Sequence, residues 1–328
     1  MAETYLIFKP RSHIYPMAEI TESEKNEKYV LYKVSEDKLL PETYIICSDA
    51  ARSVLYSPHT AGKKLQDAME KNSAIFAQVL HKHVLSGARR EEVCELVFLS
   101  GGLYYALNEG FKKEFSFALP QCFIGVQRQR VEGKAGQFRA VSGYENFESL
   151  SNGAHVVIGD TVATGATLVK GIQLLLDAAE DRGFSIASIS VISLACSIDG
   201  ARKLSKIAKR QVIPQHPECR VSLFACEMLF HLMPDGIDLR FLMPDSIYPE
   251  ESGQECERRY GKYLSKNMRG AVFDWGTRCK NPSAHYKEFI EYCEKELSTL
   301  SIDEKGRSVL QKMKKEAEAS LAEMEKPI

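Results

Sequence analysis

The segment that most constrains the fold is HVVIGDTVATGATLVKGIQLLLDAAE, residues 155–180. It opens with a short apolar run without polar alternation, which is typical of a β-strand buried on both faces. Small residues follow from Thr161 to Thr167, and apolar residues then resume at the spacing of an amphipathic helix. The segment therefore predicts a buried strand, a tight loop, and a helix that begins at that loop.

The loop before this helix has the composition of an anion-binding site. Thr164, Gly165, Ala166 and Thr167 offer backbone N–H groups and hydroxyls with little side-chain bulk. Unpaired N–H groups and the dipole of a helix N-terminus both favour negative charge. A tight turn with a threonine cap and no ligand is the alternative. Asp160, where the strand ends, favours the binding site because its carboxylate can hold hydroxyl groups beside a phosphate.

This segment resembles the motif that binds 5-phosphoribosyl 1-diphosphate (PRPP) in type I phosphoribosyltransferases. In that motif, apolar residues precede acidic residues and a Thr-Gly-small-Thr loop. The resemblance implies that the loop binds the 5′-phosphate and that Asp160 binds the ribose hydroxyls. The PRPP-binding set that it implies consists of Asp160, Thr161, Ala163, Thr164, Gly165, Ala166 and Thr167.

Two positions depart from the family pattern. Gly159 stands where most members carry the first acidic residue, so ribose binding would depend on Asp160 alone. Ala163 stands where purine-specific members usually carry an aspartate, whereas uracil phosphoribosyltransferases have alanine there. The resemblance therefore indicates the uracil-type members.

A second strand and glycine turn lie in ELVFLSGGLYYAL, residues 95–107. The pattern predicts a buried strand, a turn, and a helix that starts near Leu103. In the resembled family, a loop at this place in the chain binds the diphosphate of PRPP. The resemblance thus adds Ser100, Gly101 and Gly102 to the binding set, with an ordinary Gly-Gly turn as the alternative.

Between these two loops, residues 123–141 show the alternation of a β-hairpin. Arg128 and Arg130 fall on one face of the outgoing arm, and Arg139 lies on the returning arm. Arginines near a diphosphate would stabilise the departing anion through charge-assisted hydrogen bonds. We therefore take Arg128 and Arg130 as candidate catalytic residues. An exposed basic hairpin without a ligand is the alternative.

Strands and helices alternate along much of the chain. Short apolar runs predict strands at residues 4–8, 28–34, 43–47, 95–100, 118–126, 154–159, 186–194 and 220–226. A helix is predicted at residues 62–85. This alternation predicts an α/β fold with a mostly parallel sheet and helices on both faces. Ligands in such sheets bind at the carboxyl ends of the strands, where both glycine loops would lie.

We expect three parts in the chain. Residues 1–60 would form an N-terminal β element, and residues 61–280 a phosphoribosyltransferase-like core and hood. Residues 281–328 would form a tail of two helices broken near Ser301.

The acceptor base is left open by the sequence. The resemblance fades after about residue 235, and the glycine-proline pattern that reads the base in uracil-type members is not found. Asp274, Trp275 and Arg278 are candidates for a base-stacking pocket, although a lone tryptophan more often belongs to a core.

Composition sets limits on the partners. A chain of 328 residues can bury a sizeable core, and its net charge of −1 gives no reason to expect a nucleic-acid or membrane partner. No apolar run reaches the ~20 residues that span a bilayer, and the N-terminus does not resemble a signal peptide. Nine cysteines without a CxxC pair fit reduced thiols in a cytoplasm. The spacing of His216, Cys219, Cys226 and His231 matches no zinc motif, so we expect no resident metal.

These observations lead to one functional hypothesis and one alternative. The first is a cytoplasmic, homodimeric phosphoribosyltransferase in which a nitrogenous base attacks C1′ of PRPP and releases diphosphate, with Mg²⁺ carried by PRPP. The second is a regulator that keeps the fold, senses PRPP or a nucleotide, and lacks the chemistry.

Overall fold

The structure is a computed structural model that describes residues 18–99, 101–130, 132, 138–269 and 275–326. Its strands are β1 (Glu19–Lys25), β2 (Val30–Ser35), β3 (Glu42–Cys47), β4 (Val93–Phe98), β5 (Gln121–Arg130), β6 (Phe138–Asn146), β7 (Ala154–Gly159), β8 (Ile186–Ser193), β9 (Cys196–Ser197), β10 (Arg220–Cys226), β11 (Leu229–Leu232) and β12 (Leu239–Arg240). Its helices are α1 (Asp49–Leu55), α2 (Gly62–His83), α3 (Leu107–Phe115), α4 (Ala166–Arg182), α5 (Ile198–Ile207), α6 (Ile213–Gln215), α7 (Glu250–Asn267), α8 (Trp275–Lys280), α9 (Pro282–Leu297) and α10 (Glu304–Met324). A π-helical turn at Ala208–Val212 joins α5 to α6.

Within the described ranges, nine strands form one sheet in the order β1-β2-β3-β10-β8-β7-β4-β5-β6. The strands β3, β10, β8, β7, β4 and β5 lie side by side in this sheet, and each neighbouring pair among them is parallel. The pairs β1–β2, β2–β3 and β5–β6 at the two edges are antiparallel. This topology confirms the predicted α/β fold with a mostly parallel sheet.

Helices cover both faces of this sheet. In β7, Val156 and Ile158 belong to the core that α4 and α5 cover. Val157 points to the other core, which α1, α2, α3, α7, α9 and α10 cover. A central parallel strand buries both of its faces, which explains why its sequence is a continuous apolar run.

The order of the strands reverses between β4 and β7. From β7 the chain passes through α4 to β8 and then to β10, moving towards one edge, whereas β4 leads to β5 on the other side. Loops that leave adjacent strands in opposite directions open a crevice at the carboxyl edge. The two glycine loops predicted as ligand sites follow β4 and β7 and therefore flank this crevice.

A second sheet of three strands, in the order β12-β11-β9, is built from segments beyond the carboxyl ends of the main sheet. Strand β9 follows β8 and pairs in parallel with β11, which follows β10. Strand β12 pairs with β11 in an antiparallel hairpin.

The N-terminal region differs from the expectation. The sequence predicted no strand between residues 8 and 28, but Glu19–Lys25 forms β1, which pairs with β2 along the sheet edge. Its charged side chains are tolerated because an edge strand can leave side chains in water on both faces. The strand predicted at residues 4–8 lies outside the described residues.

The C-terminal prediction of two helices is confirmed. Helix α9 ends at Leu297, and α10 begins after Asp303, whose carboxylate accepts a hydrogen bond from the Gly306 N–H at 2.7 Å. No helix in the described part of the chain has the length and apolar character that a membrane span needs.

Candidate functional site

The loops after β4 and β7 come into contact at the crevice. A Cβ atom built on Gly101 would lie 3.3 Å from Oδ1 of Asp160. A Cβ atom on Gly102 would lie 3.0 Å from the carbonyl oxygen of Gly159. The two glycines therefore let one loop approach the backbone and carboxylate of the other. Ser100 lies outside the described residues.

Asp160 is buried at the carboxyl end of β7, with 6% of its surface exposed. Its backbone N–H donates to the carbonyl of Ile192 in β8 at 3.1 Å, which fixes the position of its backbone. The carboxylate points towards Gly101, so it lies between the two loops. A carboxylate in this position can accept hydrogen bonds from hydroxyl groups of a ligand in the crevice.

The loop from Asp160 to Gly165, here called the phosphate loop, ends on the N-terminus of α4. Gly165 has φ +70°, a left-handed conformation that favours glycine. The first turn of a helix has N–H groups without an intrahelical acceptor, here those of Ala166, Thr167 and Leu168. One contact within the loop is long, since the Ala166 N–H lies 3.4 Å from Oγ1 of Thr164. No acidic residue occupies this first turn, so the N-terminus retains its attraction for an anion.

The carbonyl groups of the phosphate loop are tied down on the side of α5. The Val162 carbonyl accepts the N–H of Ser197 at 2.8 Å. The Ala163 carbonyl accepts the Ser197 hydroxyl, and the Thr164 carbonyl accepts Nζ of Lys203 at 2.7 Å. The C=O and N–H of a trans peptide point in opposite directions. The N–H groups that follow these carbonyls therefore point away from α5.

Helix α5 can brace the loop because Gly200 lets it approach closely. A Cβ atom on Gly200 would lie 2.5 Å from Cγ1 of Val162 and 2.9 Å from the Ala163 carbonyl oxygen. Ser197 also caps α5, since its hydroxyl accepts the Gly200 N–H at 2.8 Å. The sequence reasoning missed this brace. The sequence pattern that could have indicated it is Ser197 after the buried strand β8, with Gly200 three residues later.

Gly159 is a glycine because the ring of Tyr105 fills the space beside it. A Cβ atom at this position would lie 2.7 Å from Cβ of Tyr105 and 2.8 Å from its Cγ. Tyr105 is fully buried in the chain. The space that an acidic side chain would occupy in the resembled motif is thus filled by Tyr105, from the segment after β4.

The Tyr105 hydroxyl connects three segments around the crevice. It lies 3.1 Å from Oγ1 of Thr161 and accepts the backbone N–H of Leu194 at 3.1 Å. Burial raises the pKa of this phenol, so it stays neutral. The Thr161 hydroxyl therefore contacts Tyr105, and the role of Thr161 in binding PRPP stays a prediction.

The helix expected near Leu103 begins later. Residues Gly102–Tyr104 form a 3₁₀ turn, and α3 starts at Leu107 after Ala106, whose φ is +52°. This turn precedes Tyr105, which packs against Gly159, and α3 begins only after that contact.

The predicted hairpin is confirmed as β5 and β6, joined in register from Phe123–Asn146 to Arg130–Phe138. Strand β4 ends at Phe98 opposite Ile124, and β5 continues for six more residues. At ~3.3 Å per residue, the hairpin projects about 20 Å beyond the edge where the loops lie. Arg128 and Arg130 occupy the end of this projection, and their side chains lie outside the described part of the structure.

The base-stacking pocket expected around Arg278 is not supported. Arg278 is 2% exposed, and its guanidinium donates to the carbonyls of Thr60 at 2.9 Å and Ser57 at 3.0 Å. Arg278 therefore stabilises the segment that leads into α2. Asp274 and the side chain of Trp275 lie outside the described residues.

Comparison with protein-family models and with curated proteins gave no match. Solved structures that match include the hypoxanthine phosphoribosyltransferase of Trypanosoma cruzi in complex with the product IMP, at 18% identity and a TM-score of 0.30, covering 42% of this chain and 70% of that one. The hypoxanthine-guanine phosphoribosyltransferase of Leishmania donovani matches at 15% identity and a TM-score of 0.30, covering 44% and 73%. The adenine phosphoribosyltransferase of the same organism matches at 17% identity and a TM-score of 0.32, covering 53% and 68%. These TM-scores are low, so the similarities carry no weight for function. The site geometry and the sequence motif are the grounds for a functional proposal.

Proposed function

We propose that this chain is a phosphoribosyltransferase that transfers the 5-phosphoribosyl group of PRPP to a nitrogenous base and releases diphosphate. The observation that carries the proposal is the orientation of the phosphate loop. Its carbonyls are bound by Ser197 and Lys203 on the side of α5, its N–H groups point away from that side, and Asp160 begins the loop. This arrangement suits a ligand that carries a phosphate next to hydroxyl groups.

Each part of PRPP has a matching part of the crevice. The phosphate loop and the N-terminus of α4 would hold the 5′-phosphate, and Asp160 would accept hydrogen bonds from ribose hydroxyls. The loop at Gly101 and Gly102, which touches Asp160, would hold the diphosphate. The base would then attack C1′ from the opposite side, and the protein contributes orientation and stabilisation of the leaving anion.

Mg²⁺ fits this arrangement as a companion of PRPP. No group of three or more metal-binding side chains occurs among the described residues. Mg²⁺ is commonly held by one or two carboxylates together with substrate phosphates, and Asp160 can supply one. When bound, the ion would neutralise charge on the departing diphosphate.

A pyrimidine such as uracil is the base that we propose, because Ala163 matches the uracil-type motif. The test is a panel of uracil, other pyrimidines, purines and nicotinate, each incubated with PRPP, Mg²⁺ and the full chain. We expect diphosphate release with one base. No release and no PRPP binding would overturn the proposal.

A regulator that binds PRPP without turnover is the second candidate. The observation that favours it is the ring of Tyr105 at the place of the first acidic residue. PRPP binding in a calorimetric titration, together with no diphosphate release for any base, would select this candidate. The homodimer and the cytoplasmic location stay predictions under both.

Replacing Asp160 tests the site directly. Asp160→Asn keeps the shape of the side chain and removes its charge, so we expect kcat/KM for PRPP to fall by about 10- to 100-fold, the range for lost hydrogen bonds to a charged group. Asp177→Asn, on the exposed face of α4, is the control and should react like the parent. Equal activity of the Asp160→Asn variant and the parent would show that Asp160 does not contact the substrate.

A further inference from the structure

A second pocket lies behind the phosphate loop, on the side to which the loop carbonyls point. It has a volume of about 590 Å³ and lies between α5 and the turn that joins β11 to β12. Thr164 is the only phosphate-loop residue among those that line it. Asp160, Gly101 and Gly102 do not line it, so this pocket is distinct from the crevice proposed to bind PRPP.

One wall of the pocket is cationic. Arg202, Lys203 and Lys206 project into it from successive turns of α5. Arg202 pairs with Glu36 at 3.1 Å through Nη2, while its Nε is buried and has no hydrogen-bond partner among the described residues.

The two lysines of this wall are poorly neutralised. Within the described part of the chain, Lys203 and Lys206 form no ion pair, and Lys203 contacts only the Thr164 carbonyl. Like charges one turn apart on a helix repel each other. An anion in the pocket would relieve this repulsion.

The opposite wall is mostly apolar. Leu232 at the end of β11 and Met233 and Pro234 of the β11–β12 turn line the pocket, together with His231, whose Nδ1 lies 2.7 Å from Asp245. Methionine and leucine side chains suit the flat face of an aromatic ring, and sulfur–aromatic contacts are favourable. Asp199 also lines the pocket, and its carboxylate opposes a bare anion but can accept hydrogen bonds from hydroxyl groups.

We propose that this pocket, here called the α5 pocket, binds a nucleotide. Its phosphates would contact Arg202 and Lys206, its sugar hydroxyls Asp199, and its base Met233. A ligand with phosphate alone would contact only the cationic wall. The nucleotide would contact Arg202, Lys206, Asp199 and Met233, and none of these belongs to the proposed PRPP contacts. The proposal therefore does not depend on the proposed function.

The test is calorimetric titration of the full chain with ATP, and separately with tripolyphosphate, without divalent cations. We expect ATP to bind more tightly than tripolyphosphate, because only ATP has a base and a sugar. In Lys206→Gln, ATP affinity should fall about tenfold, the effect of one charge-assisted hydrogen bond. Lys209→Gln is the matched control, because it removes the same charge from an exposed position that does not line the pocket.

The variants distinguish binding in the α5 pocket from binding in the crevice and from general charge attraction. ATP affinity should be unchanged in Asp160→Asn, and its loss there would place the nucleotide in the crevice and overturn the proposal. Equal losses in Lys206→Gln and Lys209→Gln would show general charge attraction and also overturn it, as would no ATP binding at millimolar concentration. If the protein does not bind PRPP but binds ATP in a way that depends on Lys206, the proposed function is refuted and the α5 pocket is supported as a nucleotide site.

Discussion

The contact between Gly159 and Tyr105 is where this crevice differs from the PRPP-binding motif that the sequence resembles. An acidic residue at position 159 could not enter the site, because its Cβ would already overlap the Tyr105 ring. Positions 159 and 105 are thus coupled. An acidic residue at position 159 would require a smaller side chain at position 105 as well.

This coupling gives a prediction for Gly159→Asp. We expect the free energy of unfolding to fall by about 2 kcal/mol or more, as for other overpacked sites, and PRPP binding to gain nothing. In the double variant with Tyr105→Ala, the loss of stability should be smaller than the sum of the two single losses, since the ring no longer occupies the space. Denaturant unfolding of the variants measures these effects.

Gly143→Asp is the control for this series, because no atom lies within 4 Å of a Cβ built there. It should leave stability nearly unchanged. Tighter PRPP binding by Gly159→Asp at unchanged stability would contradict the packing described here.

Glu95 gives a prediction about pH. It is buried in β4, where burial raises its pKa from 4.5 to about 7 and the amide of Gln121, donating at 2.8 Å, opposes that rise. The folded state therefore holds the proton more tightly than the unfolded state. Its contribution to stability is fully present below pH ~4.5 and is lost as the pH rises through about 7.

Glu95→Gln removes this dependence. At pH 8 we expect the variant to be more stable than the parent, by up to about 3 kcal/mol on the scale of 1.36 kcal/mol per pKa unit. At pH 4.5 the two should be nearly equal, because the parent is protonated when folded. Denaturant unfolding across this pH range measures the difference. A constant difference at all pH values would show that Glu95 does not titrate in this way.

Among the secondary-structure elements, the β5–β6 hairpin has the clearest functional prediction. It extends past the end of β4, the strand that the loop at Gly101 and Gly102 follows. If Arg128 and Arg130 contact the departing diphosphate mainly as the bond breaks, replacing both by alanine should lower kcat more than PRPP affinity.

Steady-state kinetics together with a PRPP titration separate the two effects. Gln129→Ala is the control, because alternate residues of a strand point to opposite faces. It should change kcat little. An unchanged kcat in the double arginine variant would assign these arginines to solvated surface.

For the chain as a whole, the C-terminal helices belong to the main core. Leu310 of α10 is fully buried in the same hydrophobic cluster as Leu65 of α2 and Cys256 of α7. Loss of packing in α10 should therefore weaken a core that also supports the crevice.

Leu310→Ala should reduce the free energy of unfolding by about 2–5 kcal/mol, the range for a truncated buried leucine. Leu300→Ala is the matched control, because Leu300 is fully exposed between the two helices. Its stability should equal that of the parent in denaturant unfolding. Equal stability of both variants would show that α10 does not pack as described.

Local patterns along the chain were enough to predict the α/β class and the phosphate loop. The run before Asp160 predicted β7 at Ala154–Gly159, and the small residues after it predicted the loop, because strand burial and helix starts depend on neighbours in sequence. Strand β1 was missed because an edge strand with polar residues on both faces has no such pattern.

The remaining features depend on residues that are far apart in the chain. Tyr105 meets Thr161 across 56 positions, and Lys203 meets the Thr164 carbonyl across 39. No local periodicity encodes such contacts, because the order of the strands in the sheet determines which loops meet. The filled space beside Gly159, the brace from α5 and the α5 pocket therefore follow from the folded chain alone.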